Sequence, residues 1–213
     1  MLSQSALSQS VLALAGNSVA LDRIVLSVSG ASPPAKPRLR FDKGVFSVMK
    51  HLRAGLTDLI VEGEVVMVTV TAPIWLPGKT ASDVEEKARA LLVRRSARRE
   101  LVYTVHGNQI RIRVLKGGPA GAARFVGFVH NPDSDPTPLF EVAQALLNGV
   151  AKLPARKRAR SAVNHWLVLV DRKGLVHPDV CRHVYPALAL PVDFKKVLLV
   201  SEGFETVIDP VSS

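Results

Sequence analysis

The stretch from Val65 to Arg99 constrains this chain more than any other, because three segments with different local preferences follow one another without a gap. Val65 to Ala72 (VVMVTVTA) is a β-branched run of strand length with no breaker inside it, which suits a pleated, buried strand. Pro73 ends the run, since proline has no N–H to give to a central ladder. Ser82 stands where it can cap a helix, and Glu85 is at the third position after it, as in a capping box. Val84, Ala88, Leu91 and Leu92 then share one helical face. Arg94, Arg95, Arg98 and Arg99 crowd the C-terminal turn, where cations complement the helix dipole.

The loop PIWLPGKT between strand and helix ends in Gly78-Lys79-Thr80, the tail of a phosphate-binding loop. A full loop of that kind needs a glycine at the position held by Pro73, so that backbone N–H groups can curl around phosphates. Pro77 removes a second donor and Trp75 adds bulk. Asp171, at the end of the apolar run WLVLVD, is the one candidate for the magnesium side of such a site. The composition favours a Pro-Gly turn before an N-capped helix, with Trp75 anchored in the core and Lys79 solvated.

Apolar residues make up 47% of the 213 residues, enough to bury a sizeable core and to exclude global disorder. Aromatic residues are only 5%, so that core is aliphatic. Cys181 is the single cysteine; no intrachain disulfide can form, which fits a reducing, cytoplasmic setting. No apolar run reaches the length of a membrane span, so no membrane partner is expected.

Along the chain, residues 2–15 carry a helical apolar stripe, and Ile24 to Ser29 is a short strand. Residues 30–37 (GASPPAKP) are the best boundary, dividing an N-terminal helix and strand (1–30) from one α/β domain (38–213). Asp42 to Ile60 has helical spacing, with Val45, Met49, Leu52 and Leu56 inward. Leu101 to Val105 and Gln109 to Leu115 flank His106-Gly107-Asn108 as a hairpin, and Arg124 to His130 is a further strand. Pro138 to Leu153 is a helix capped by Asp135 or Thr137. Strands at Trp166 to Val170 and Lys196 to Val200 bracket a short helix from His177 to Tyr185, and Thr206 to Ile208 adds an edge strand. The fold class is mixed α/β: a central mixed sheet with an antiparallel hairpin and a parallel C-terminal part, helices on both faces. The three consecutive strands should pair antiparallel.

The net charge is +10, and it is not evenly spread. Lys87 to Arg124 holds ten Lys or Arg residues against the single acid Glu100, and Val142 to Val170 holds five and no acid. Arg111 and Arg113 alternate with Ile110, Ile112 and Val114 on the hairpin, with Lys116 beyond them. Arg156, Lys157, Arg158 and Arg160 form a second cluster. Cations in rows match a polyanion and release counterions on binding. These residues, with Arg94, Arg95, Arg98 and Arg99, are the candidate nucleic-acid contacts, to DNA or RNA. The aromatic platform of single-strand binders is missing, with only Tyr103 in the hairpin.

Chemistry is thinly signalled. The element order after residue 100 is similar to that of restriction-endonuclease-like folds, but VYTVHG, IRIRVLK and RFVGFVH contain no carboxylate for magnesium. The nearest acids, Asp133 and Asp135 in HNPDSDP, could join His130 at a metal; such residues more often form a turn and a helix cap. His177, Cys181 and His183 lack zinc spacing and a neighbouring oxyanion hole. No cofactor motif is present. The sequence therefore supports a non-catalytic, basic nucleic-acid-binding α/β protein, alone or as a subunit of a larger assembly. The alternatives are a degenerate metal-dependent nuclease and a protein-interaction subunit that binds no nucleic acid.

Overall fold

The β-branched run becomes β2 (Glu64–Thr71), buried from Val65 to its end. It lies in the middle of its sheet because nothing in it disturbs a ladder on either side. The computed structural model describes residues 20–29, 39, 43–94, 99–153, 165–192, 194–201 and 204–208. The expected helix over 2–15 and the connection 30–37 lie outside them. Around β2 run β1 (Ala20–Leu26), α1 (Lys43–Leu56) with a 3-10 turn after it (Thr57–Leu59), α2 (Pro77–Arg94), β3 (Glu100–Val105), β4 (Asn108–Lys116) and β5 (Phe125–His130). The chain continues as α3 (Thr137–Ala151), β6 (His165–Asp171), α4 (Pro178–Ala187), β7 (Lys196–Ser201) and β8 (Phe204–Ile208).

The class is the expected mixed α/β, and the strands divide between two four-stranded sheets, ordered β3-β4-β2-β5 and β1-β6-β7-β8. The hairpin forms as expected, with a two-residue turn at His106 and Gly107 whose φ angles are both positive, 48° and 80°. Both residues of such a turn need the left-handed region, which Gly107 enters freely and His106 only at a cost. The C-terminal part is parallel across β6 and β7, with α4 as the crossover. β1 joins this sheet parallel to β6, from Ala20 opposite His165 to Leu26 opposite Asp171.

One pairing departs from expectation. β5 does not extend the hairpin antiparallel; it runs parallel to β2, on the side of β2 away from β4. The reason is the glycine link after β4. Gly118 N–H donates to Gly63 O at 2.9 Å and turns the chain beneath the start of β2, so it emerges on the far side.

Three apolar clusters follow from side-chain alternation. Val66, Val68, Val70, Ile110, Ile112 and Val114 pack with α1 and α2 on one face of the hairpin sheet. The opposite face shares a core with α3, α4 and the inner face of the second sheet, through Met67, Phe140, Leu146, Leu167 and Leu199. Trp166, Val168, Val170, Leu198 and Val200 form the third, on the outer face of the second sheet. α3 reaches β1 closely at Gly149, where a Cβ would come within 2.4 Å of Ile24 Cδ1.

The helix after β2 starts earlier than its capping signal suggests. Pro77 opens it, a position where proline's missing N–H costs nothing, and Leu76 O accepts from Thr80 N at 2.9 Å. Ser82 is therefore inside the helix, its hydroxyl donating to Gly78 O at 3.2 Å. Glu85 does not close a capping box; it takes Arg89 at 2.6 Å and His51 of α1 at 2.8 Å, and the Arg89 hydrogen bond holds its carboxyl below the usual range.

Candidate nucleic-acid interface

β2 and β5 are adjacent and parallel, yet the helices that follow them cover opposite faces of the sheet: α2 the first cluster's face, α3 the other. Such a divergence opens a crevice beyond the carboxyl ends of the strands. His130, Arg111, Thr137 and the loop carrying Trp75 are brought to this end. Asn108, fully buried, organises the loop. Its Oδ1 accepts from Trp75 N at 3.2 Å, and its Nδ2 donates to Trp75 O at 3.2 Å and Val105 O at 3.3 Å. Thr80 Oγ1 donates to Trp75 O at 2.7 Å.

This network settles the fate of Gly78-Lys79-Thr80. The three residues form the first turn of α2, and the Thr80 hydroxyl is buried and committed to the loop. Asp171 lies in the other sheet, where it accepts from Lys173 N at 3.1 Å and Val176 N at 2.6 Å to shape its own turn. Trp75, however, is not in the core as the sequence suggested: it is 59% exposed, and Leu76 beside it 54%. The indole passes beside the hairpin turn, where a Cβ on Gly107 would meet its Cδ1 at 3.4 Å and its Nε1 at 3.9 Å.

The cations separate into three groups. Arg99 is spent inside the fold: both of its terminal nitrogens bind the two oxygens of Glu64, with both side chains largely buried. Arg111 and Arg113 point to the α3 side of the sheet, as the alternation implies, and are half-buried there. Arg113 donates to both oxygens of Glu100 at 2.9 and 3.0 Å, Arg111 donates to Thr137 Oγ1 at 2.8 Å, and both lie over the Phe140 ring, at 5.8 Å for Arg111 and 5.1 Å for Arg113. Arg94 and Lys116 are exposed; the Lys116 backbone is clamped by the Gln144 amide at 3.3 and 2.7 Å. Arg95, Arg98, Arg156, Lys157, Arg158 and Arg160 lie outside the described residues.

Arg113 also opens onto a groove of about 570 Å³ between β1 and α3. Arg23, Val25, Gln144, Asn148 and Lys152 line it with Arg113. Its one carboxylate among the described residues, Glu141, accepts from Ser29 N at 2.8 Å. Arg23 carries no signal in the sequence, since its proximity to Arg113 depends on β1 crossing to the second sheet. β1 is an edge strand there, so its outer side borders the groove.

The catalytic alternatives find little geometry. Asp135 accepts from Thr137 N at 2.9 Å in the turn before α3, whose N-cap position is Pro136 rather than the expected Asp135 or Thr137, and Asp133 is exposed. His130 is buried, donates from Nδ1 to Asn131 O at 2.9 Å, and is pushed below the usual histidine range by that burial, with Arg111 adding to the effect. No group of three metal-ligating side chains gathers among the described residues. β3, β4 and β5 share one sheet while β6 belongs to the other, so the endonuclease-like order does not build one common sheet. His177 caps α4, accepting from Asp179 N at 3.2 Å. Cys181 is buried and its thiol is pushed up to about 12 by desolvation, which removes the thiolate a nucleophile needs.

No helix among the described residues is long and apolar enough to cross a membrane. The chain matches no protein-family model, no curated protein and no solved structure.

Proposed function

We propose that this is a nucleic-acid-binding protein whose backbone contacts come from the groove between β1 and α3. The observation that carries the reading is the groove's charge: Arg23, Arg113 and Lys152 converge on it, and the one acid lining it among the described residues, Glu141, already has a partner in Ser29 N–H. Arg23 and Lys152 make no ion pair among the described residues, unlike Arg99, Arg111 and Arg113. A cation without a protein partner keeps its capacity to displace counterions from a phosphate backbone. The Asn148 amide on the same helix face, oriented by Gln144 Nε2 at 2.9 Å, is a neutral polar group of the kind that contacts sugar and phosphate. In sequence, the cluster Arg156 to Arg160 follows Lys152 after three residues.

The test is a salt titration of oligonucleotide binding, by fluorescence anisotropy, with the full chain and the double variant Arg23→Ala/Lys152→Ala. Affinity for the parent should fall steeply with salt, and the variant's log–log slope should be shallower by about 2. Arg23 and Lys152 hold no structural bond, so the variant should melt with the parent. An unchanged slope in a folded variant removes the groove from the proposal, and no binding at low salt removes the function.

A further inference from the structure

Trp75 and Leu76 are adjacent, both more than half exposed, and held on a braced loop. Leu76 has φ of 45°, a left-handed conformation that a leucine adopts only when its surroundings impose it. Asn108 and Thr80 fix the Trp75 backbone on both its N–H and its C=O. These bonds fix the loop backbone at Trp75, a residue that is 59% exposed. Lys79 is exposed in the next helical turn. The acid at this corner, Asp83, is already bonded to His106 Nε2 at 2.8 Å.

The same corner leads onto β4. Asn108 begins that strand, and Arg111 and Arg113 follow on its α3 side, about 7 Å apart at the usual strand rise. Beyond Arg113 lies the groove with Arg23 and Lys152. A polyanion lying along this side of β4 would thus run from an open aromatic at one end to the groove's Arg23 and Lys152, unpaired among the described residues, at the other. Indole stacks on any base whose face is open, but in a duplex each base face is covered by its neighbour.

We infer that Trp75 is a stacking platform for an unpaired base, and that the nucleic acid this chain takes is single-stranded. The inference rests on the nucleic-acid reading above and adds the class of substrate. Charge complementarity favours this occupant over an apolar protein surface: Lys79 is exposed just after the tip, and Asp83 is paired with His106.

The experiment compares binding of the full chain, Trp75→Phe and Trp75→Ala to a fluorescein-labelled 15-nucleotide pyrimidine strand and to its duplex at low salt. The single strand should bind more tightly to the parent and quench part of its indole emission, the buried Trp166 supplying an unquenched background. Trp75→Ala should lose at least about tenfold on the single strand and little on the duplex. Trp75→Phe should keep most of the affinity. All three should melt together, because the ring is exposed. Single-strand affinity untouched by Trp75→Ala overturns the inference and leaves the tip to a protein partner. An equal loss on both forms overturns it too. Salt-dependent binding of both forms, each indifferent to Trp75, would sink the platform while the groove's function stood; absence of binding to either form would sink both.

Discussion

The two sheets use the same residue types in opposite ways. In the β1-β6-β7-β8 sheet, β6 is buried along its whole length, polar ends included. His165 Nε2 is bonded to Asp22 of β1, inside the fold, with the Phe194 ring 4.9 Å from the imidazole. In the hairpin sheet, β4 buries its isoleucines on one side and sets arginines on the other, half in reach of solvent. One sheet encloses its polar groups to join distant strands; the other displays them. Polar residues that are fully enclosed answer to stability, and those at a rim can answer to a ligand.

The sharpest way to break that contrast is to remove a polar group from each. Asp22→Ala should have the largest effect, about 3 kcal/mol, because it leaves the buried His165 N–H without an acceptor; chemical denaturation measures it. A cost under about 1 kcal/mol would show that the enclosed pair does not hold β1. Asn108→Ala should come next, at about 2 kcal/mol, since the Trp75 N–H and C=O both lose a partner. It differs from Trp75→Ala, which touches display alone, and the same unfolding curves separate the two.

The smallest effect is a matter of pH. His130 is held below its ordinary value by burial, so the unfolded chain takes up a proton first. Its contribution to stability is full above about pH 6.5, the unfolded value, and is lost as the pH falls from there through the lower folded value. Melting temperature should therefore decline on acidification below pH 6.5, and His130→Gln should decline less steeply. Parallel curves for parent and variant would move the acid sensitivity to another group.

Much of the hairpin sheet was legible because its signals are local. Ile110, Ile112 and Val114 against Arg111 and Arg113 announced a two-faced strand, and His106-Gly107 announced its turn. β5 was not legible as a partner of β2, because nothing within Phe125 to His130 records which edge it meets; the glycine link decides it. At α2 two signals competed. Ser82 and Glu85 formed a plausible cap, but Pro77 at a first helical position prevailed, since the chain could turn directly from the Asn108-braced loop. The site divided along the same line. The arginine row was visible, while its pairing with Glu100 and Phe140 and its continuation to Arg23 depend on α3 and β1. Trp75 misled because indole is so often core, and only the loop geometry shows it turned outward.

The pairing of β1 with β6 bears on how the molecule comes into being. Asp22 meets His165 across 143 residues of sequence, whereas the whole hairpin sheet is drawn from Glu64 to His130. On a ribosome, the hairpin sheet can assemble as soon as β5 emerges, while β1 must wait for the last third of the chain. Until then its edge lacks a ladder, and its apolar residues Ile24 and Leu26 have no partner strand. The groove cannot exist in that interval either, for one of its walls is β1.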